Sequence, residues 1–204
     1  MAAMASTLLP LLLFSAIVCT AGTSPTATAP TVRAQRGKPN TSPPAALVRA
    51  LVQSTCNATT YYDLCVATMV ADPSSSTADL SGLCAIALSA AAANASATQA
   101  ALANTTSSAG ASEPSDNGRV RALFRACAGK YGEAREALLE ARESVGEEAY
   151  DDAFVQVSAA AEYPAVCRTL FRRRRVAYPA ELARREEVLE RLCTVAIDII
   201  TLLF

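Results

Sequence analysis

Cysteine is the residue whose number and spacing in this chain point to definite chemistry. Seven occur, and one of them, Cys19, lies in an apolar stretch near the start. Without it Cys56, Cys65, Cys84, Cys127, Cys167 and Cys193 remain, an even set. In an exported chain an even set points to disulfides, although six cysteines allow 15 pairings. Histidine is absent, which removes Ser/His/Asp and Cys/His nucleophilic catalysis and argues against a catalytic zinc site. A second group, Glu147, Glu148, Asp151 and Asp152 with Tyr150 among them, gathers carboxylates that elsewhere do general acid–base work. Nothing in the flanking residues suggests a pocket around them. They are read either as charges favouring a helix N-terminus or as a docking surface for a partner. No catalytic residue, cofactor or metal ligand is assigned, and the chain is read as not an enzyme.

Export is suggested by the first 22 residues. An uncharged start is followed by Leu8 to Val18, a run of roughly eleven mostly apolar residues, with Thr20, Ala21 and Gly22 as a small-residue cleavage region. Such a run is too short to span a bilayer and fits a cleaved signal peptide. Residues 23–44 are Thr, Pro, Ser and Ala with Arg33, Arg36 and Lys38; they cannot build an apolar face and read as a disordered linker. Sequons at Asn40, Asn57, Asn94 and Asn104 agree with passage through the secretory pathway. The net charge of −1 gives no reason to expect a nucleic-acid partner.

The folded part is read as Ala45–Phe204, all helical. The chain is 51% hydrophobic and 5% aromatic, so its core is built from small side chains in close helix contacts. Short helices around Cys56 and Cys65 form a hairpin that Asp72-Pro73 ends. A choice of N-caps in Ser74–Thr77 then opens a long helix with Leu80, Leu83, Cys84, Ala87, Leu88 and Ala91 on one face, running to about Asn104. Thr105–Asn117 reads as a turn. Val120, Leu123, Phe124, Cys127, Tyr131, Ala134, Leu138 and Ala141 mark the next stripe, and Ala153, Phe154, Val157, Ala160, Ala161, Cys167 and Phe171 the one after it. Between these two stripes lies a break at Ser144–Gly146, with Glu147 and Glu148 opening the following helix. Arg172–Arg175 suit a helix C-terminus and the loop beyond; an anion grip is the sharper reading of the same residues. Pro179 suits a first helical position, before Leu182, Leu189, Leu192, Cys193, Ala196, Ile199, Ile200 and Leu203. The expected architecture is an up-down-up-down four-helix bundle preceded by a short helical hairpin. The tail Ile197–Phe204 is too short for an anchor and contains Asp198, so no stable membrane attachment is expected.

At these residues the chain resembles the plant invertase and pectin methylesterase inhibitors. Cys56 and Cys65 flank Thr60-Tyr61-Tyr62-Asp63 as the family's first bridge does. The stretches Asp72–Leu83, Ala126–Leu138, Tyr150-Asp151-Asp152-Ala153 through Val157-Ser158-Ala159-Ala160 to Cys167, and Leu189–Ile200 resemble its bundle helices. The resemblance spans Ala45–Phe204 and implies bridges Cys56–Cys65 and Cys127–Cys167. Loop-closure entropy makes these worth about 2.7 and about 4 kcal/mol respectively. Cys84 and Cys193 lie at heights that agree to roughly 5 Å along antiparallel helices; they form either a third bridge or two buried thiols.

The resemblance further implies inhibition without a cofactor. A cell-wall enzyme is bound one to one and its active-site cleft is covered, with the contact around Glu147, Glu148, Tyr150, Asp151 and Asp152. The first target is pectin methylesterase and the alternative is cell-wall or vacuolar acid invertase. The basic Pro-Lys-Phe tripeptide of some invertase inhibitors is replaced here by Tyr150-Asp151-Asp152. The Thr that often follows Val-Ser-Ala-Ala in the pectin-enzyme inhibitors is replaced by Ala161-Glu162. A non-inhibitory secreted structural or pollen-type protein of the same fold, and a small-molecule or lipid carrier, are the remaining classes. The implied location is the cell wall, or the vacuole for a vacuolar target.

Overall fold

A computed structural model describes residues 45–108 and 116–204. The leader and linker readings, Asn40, and most of the 105–117 turn therefore lie outside the described residues. Six α-helices occur among the described residues: α1 (Ala45–Asn57), α2 (Tyr62–Ala71), α3 (Leu80–Ser108), α4 (Asp116–Gly146), α5 (Tyr150–Arg173) and α6 (Ala180–Ile200), with a 3-10 turn at Pro73–Ser76. α3 packs on α4 and α6, and α5 packs on the same two, so the last four helices close a ring in up-down-up-down order. No strand occurs among the described residues.

Small side chains set the spacing of this ring. Ala87, Ala91 and Ala95 on α3, Ala134 and Ala141 on α4, Ala153 and Ala160 on α5 and Ala196 on α6 are fully buried. Larger groups (Leu83, Leu88, Tyr131, Leu138, Val157, Phe171, Leu189, Ile199) fill the gaps between them at period 3.6. Phe171 stands at one end of the core, edge-on to both Phe124 at 5.7 Å and Tyr178 at 5.3 Å. α3 is long and apolar enough over Leu80–Thr105 to cross a membrane by length and composition, and here its stripe of Leu83, Ala87, Leu88, Ala91 and Ala95 is buried in the bundle.

Cys56 and Cys65 form a disulfide with Cα atoms 5.5 Å apart, closing the α1–α2 hairpin. The hairpin is seated on α6 by the Thr60 N–H, which donates to Asp198 Oδ2 at 2.7 Å. The Arg191 guanidinium lies 5.4 Å from the Tyr61 ring centroid, and Met69 is buried in the core. Asp72 does more than end α2: its Oδ1 accepts from the Ser74 N–H and hydroxyl, which lowers the carboxyl below its ordinary range.

Several local expectations need correction. The cap of α3 is Asp79, whose Oδ1 accepts the Gly82 N–H at 2.8 Å; Ser74–Ser76 are taken up by the 3-10 turn instead. α3 runs on to Ser108, four residues past its expected end near Asn104, with the Thr105 hydroxyl donating to the Ala101 carbonyl along the way. Pro179 is the N-cap residue, one place before the first helical position. α5 passes through a buried Pro164 without ending, one backbone donor short at that turn. Phe154 is 38% exposed, because it sits one residue off the buried Ala153–Val157–Ala160 stripe. Cys127 and Cys167, expected as a bridge, are two buried thiols in hydrogen-bond contact between α4 and α5; Cys84 and Cys193 are buried thiols as well.

Glu147 and Glu148 lie in the α4–α5 turn, ahead of the helix they were expected to open. The Ala149 N–H donates to the Ser144 carbonyl and the Glu148 N–H to that of Val145, a Schellman closure in which the left-handed residue is usually glycine. Here it is Glu148, with φ 60°. The same closure ends α5 with Arg175 at φ 56°. Replacing Glu148 by Gly should therefore stabilise the protein by roughly 0.5–1 kcal/mol and raise its thermal midpoint by about 2 °C. A lower midpoint in a circular-dichroism melt would show that the Glu148 side chain makes a stabilising contact that outweighs the backbone strain.

Candidate partner-binding surface

The α4–α5 junction brings the expected surface residues together. Glu147, Glu148, Asp151 and Asp152 are exposed, and none of them is in an ion pair among the described residues. Asp151 and Asp152 stand in the first turn of α5, where the helix dipole favours negative charge. Tyr150 is half-buried and meets the ring of Phe204 edge-on at 6.0 Å, joining the junction to the chain's last residues. The Ser144 hydroxyl donates to Gln156 Oε1 at 3.0 Å and pins the end of α4 to the second turn of α5.

Three apolar residues join this surface that the sequence placed elsewhere or passed over: Phe154 in the buried stripe, Phe204 in the tail, and Val155 nowhere. Val155 is 65% exposed and Phe204 69%, with Phe154 beside them. An exposed aromatic and aliphatic group rimmed by carboxylates is the composition of a contact surface, whose apolar centre excludes water while the rim sets orientation. The signal was available: Phe154 follows Tyr150 by four residues and Val155 follows Asp151 by four, so both share the outward face of those residues.

A buried polar group underlies the α5–α6 seam. Glu186 is fully buried, and its carboxylate accepts from the Tyr178 hydroxyl and from Arg168 Nη2, each at 2.7 Å. Arg168 also reaches Glu190 at 3.3 Å. Burial, the Tyr178–Glu186 bond and the Glu186 charge hold the Tyr178 phenol protonated well above its ordinary range. Burial and then the Glu186 charge do the same to Tyr131 and, more mildly, to the Glu190 carboxyl. The Tyr131 hydroxyl is buried without a partner. Cys167 is kept protonated first by its hydrogen bond to Cys127 and then by burial. Burial pushes the thiols of Cys84 and Cys193 up to about 12, so both are protonated and inert at neutral pH. A Glu at 186, in register with Leu182, Leu189 and Cys193, was the visible sign of this group. It braces the seam and offers no opening to a substrate.

The remaining candidates separate by exposure. Asn57 and Asn104 are exposed, whereas Asn94 is half-buried on α3 with its Oδ1 shut away and unpartnered. A cleft of about 440 Å³ lies between the hairpin and α6, lined by Thr60–Leu64, Val188 and Arg191. No group of three or more His, Cys, Asp or Glu that could hold a metal ion occurs among the described residues.

A disulfide-closed helical hairpin on an antiparallel four-helix bundle, with an acidic, partly apolar junction, has the make-up of a protein-binding scaffold. The model of the plant invertase/pectin methylesterase inhibitor family matches residues 50–199, and the chain belongs to that family, whose members are inhibitors and not enzymes. Among its relatives is Pectinesterase inhibitor 28 of Oryza sativa subsp. japonica, 54% identical over 99% of this chain and 92% of that one. Another is the Cell wall / vacuolar inhibitor of fructosidase 2 of Arabidopsis thaliana, 36% identical over 74% of this chain and 81% of its own length. The fold is also that of two crystal structures of a pectin methylesterase inhibitor from Arabidopsis. One, a mutant form, has a TM-score of 0.57 at 22% identity and covers 74% of this chain and 95% of its own. The other has a TM-score of 0.53 at 21% identity and covers 76% and 97%.

Charge burial makes the seam asymmetric to mutation. Arg168→Met leaves the Glu186 carboxylate buried without its cation and should cost about 3 kcal/mol in urea unfolding. Glu186→Gln returns a half-exposed arginine to water and should cost about 1 kcal/mol. Equal costs would mean that the ion pair does not decide the stability of this seam.

Proposed function

We propose that this chain is a secreted inhibitor that covers the active-site cleft of a pectin methylesterase in a non-covalent one-to-one complex. The observation that carries this reading is the 54% identity, along almost the whole chain, to a protein named a pectinesterase inhibitor. The relative named for fructosidase is more distant and matches over less of the chain. Residues 1–22 act as the export signal and 23–44 as the spacer, with the helical domain working in the cell wall without membrane attachment. The α4–α5 junction is the contact surface: Phe154, Val155 and Tyr150 supply its apolar centre, and Glu147, Glu148, Asp151 and Asp152 its acidic rim.

An acid invertase, in the wall or the vacuole, is the second reading, favoured by the family's dual range and the fructosidase-inhibitor relative. Titrating purified protein into a plant pectin methylesterase, and separately into cell-wall and vacuolar invertases, decides between them. Stoichiometric loss of esterase activity alone is expected. Loss of invertase activity alone would replace the leading reading, and no loss in any assay with helicity intact would point to a non-inhibitory member. Val155→Asp should weaken esterase inhibition at least tenfold, because a charge in the apolar centre must be desolvated on docking.

Export also bears on the thiols. Cys127 and Cys167 lie in contact between α4 and α5, so we propose that they join once the chain meets an oxidising compartment, with Asn57 and Asn104 as the glycan-bearing sequons. Counting free thiols in the denatured secreted protein should then give two, from Cys84 and Cys193. A count of four would leave Cys56–Cys65 as its single bridge.

A further inference from the structure

Arg172, Arg173, Arg174 and Arg175 are all exposed where α5 ends. Cations here complement the helix dipole, but that effect is confined to the last turn, and the run continues past it. Arg175 holds a left-handed backbone conformation at a position where glycine would be free of strain. Other arginines of α5 and α6 have acidic partners: Arg168 pairs with Glu186 and Glu190, Arg184 and Arg185 with Glu181, and Arg191 with Glu187. Among the described residues no carboxylate pairs with Arg173, Arg174 or Arg175. Arg174 and Arg119 of α4 flank a cleft of about 190 Å³ whose floor is Ala122, Leu123, Ala126 and Leu170.

We propose that this end of the bundle is a second binding site, for an acidic polysaccharide of the polyuronate class. The planar guanidinium groups of Arg173 to Arg175 can each donate two parallel hydrogen bonds to a carboxylate. The apolar floor between Arg119 and Arg174 suits the C–H face of a sugar ring, and the following arginines meet the next carboxylates along the polymer. A lipid surface fits less well. α4 carries no exposed large apolar side chain, and the last on α5, Val166, stands about 9 Å before Arg172, so nothing is placed to insert. The site lies at the opposite end of α4 and α5 from the acidic junction, leaving that junction available to an enzyme while the polymer is held. The choice of polyuronate rests on the proposed pectin-enzyme reading; the basic cleft itself does not.

The test is retention of the secreted protein on immobilised polygalacturonate, on the same polymer fully methyl-esterified, and on phosphatidylcholine–phosphatidylserine vesicles, without any enzyme present. Retention on polygalacturonate alone, falling as salt is raised, is expected. The variant Arg172→Gln/Arg173→Gln/Arg174→Gln/Arg175→Gln should bind over a hundredfold more weakly, at roughly fivefold per charge, with its helical spectrum unchanged. Arg175→Gly separates binding from folding: its thermal midpoint should rise as the strain is relieved, while its affinity drops about fivefold. Absence of retention, equal retention of the esterified polymer or of the quadruple variant, or preference for the vesicles would each overturn the proposal. Failure of enzyme inhibition with retention intact would sink the target reading and leave this site standing.

Discussion

The tight reversal of α4 into α5 governs the rest of the molecule. Three residues, Glu147 to Ala149, separate two helices of 31 and 24 residues, and the closure demands a left-handed residue, a place that Glu148 takes here instead of the usual glycine. Once that turn is fixed, antiparallel register follows. Ser144 meets Gln156, Cys127 meets Cys167, Phe124 meets Phe171, and Lys130 lies over Tyr163. The same register sends Glu147, Glu148, Asp151 and Asp152 to one end and Arg119 with Arg172 to Arg175 to the other. A shift by one residue would turn both buried stripes about 100° and break every one of these pairings.

Much of this was legible in the sequence because burial follows the 3.6-residue period. Leu83, Cys84, Ala87, Leu88 and Ala91 lie inside as their spacing says, as do Cys127, Tyr131, Ala134, Leu138 and Ala141. What misled was competition between neighbours with similar local preferences. Ser74 to Thr77 and Asp79 are all good caps, and only the 3-10 turn after Pro73 decides for Asp79. Phe154 is apolar at a helical spacing, yet a rotation of one residue puts it at the edge of the stripe, where it becomes surface. The acidic junction was placed correctly in space, but its two glutamates belong to the turn, since glycine preference gives no warning when a Glu takes the left-handed site.

Glu186 shows a different limit. A charged residue in an apolar register is visible from the sequence, but its partners are not, because Arg168 reaches it from α5, across the loop, and Tyr178 from within that loop. Burying a carboxylate is costly unless it is paired and hydrogen-bonded, and here a guanidinium and a phenol meet that need. The gain is directional. An alanine-rich seam permits many sliding registers of nearly equal packing, whereas one carboxylate that must find one arginine permits few. The cysteines of the same region add to this constraint: Cys127 and Cys167 touch where α4 and α5 are already held in register.

The segregation of charge along α4 and α5 bears on how the molecule moves toward another surface. With a formal net charge of −1 it has almost no monopole, so distant charges neither draw it in nor drive it off. Its two poles nevertheless give it a long electric dipole, and a dipole in a field feels a torque before it feels a pull. Approaching a cationic groove it turns its α4–α5 reversal forward; approaching an anionic surface it presents the opposite end. Orientation is thereby chosen during the encounter, ahead of any contact, and the fraction of collisions that arrive correctly aligned rises without a change in the affinity of the final complex.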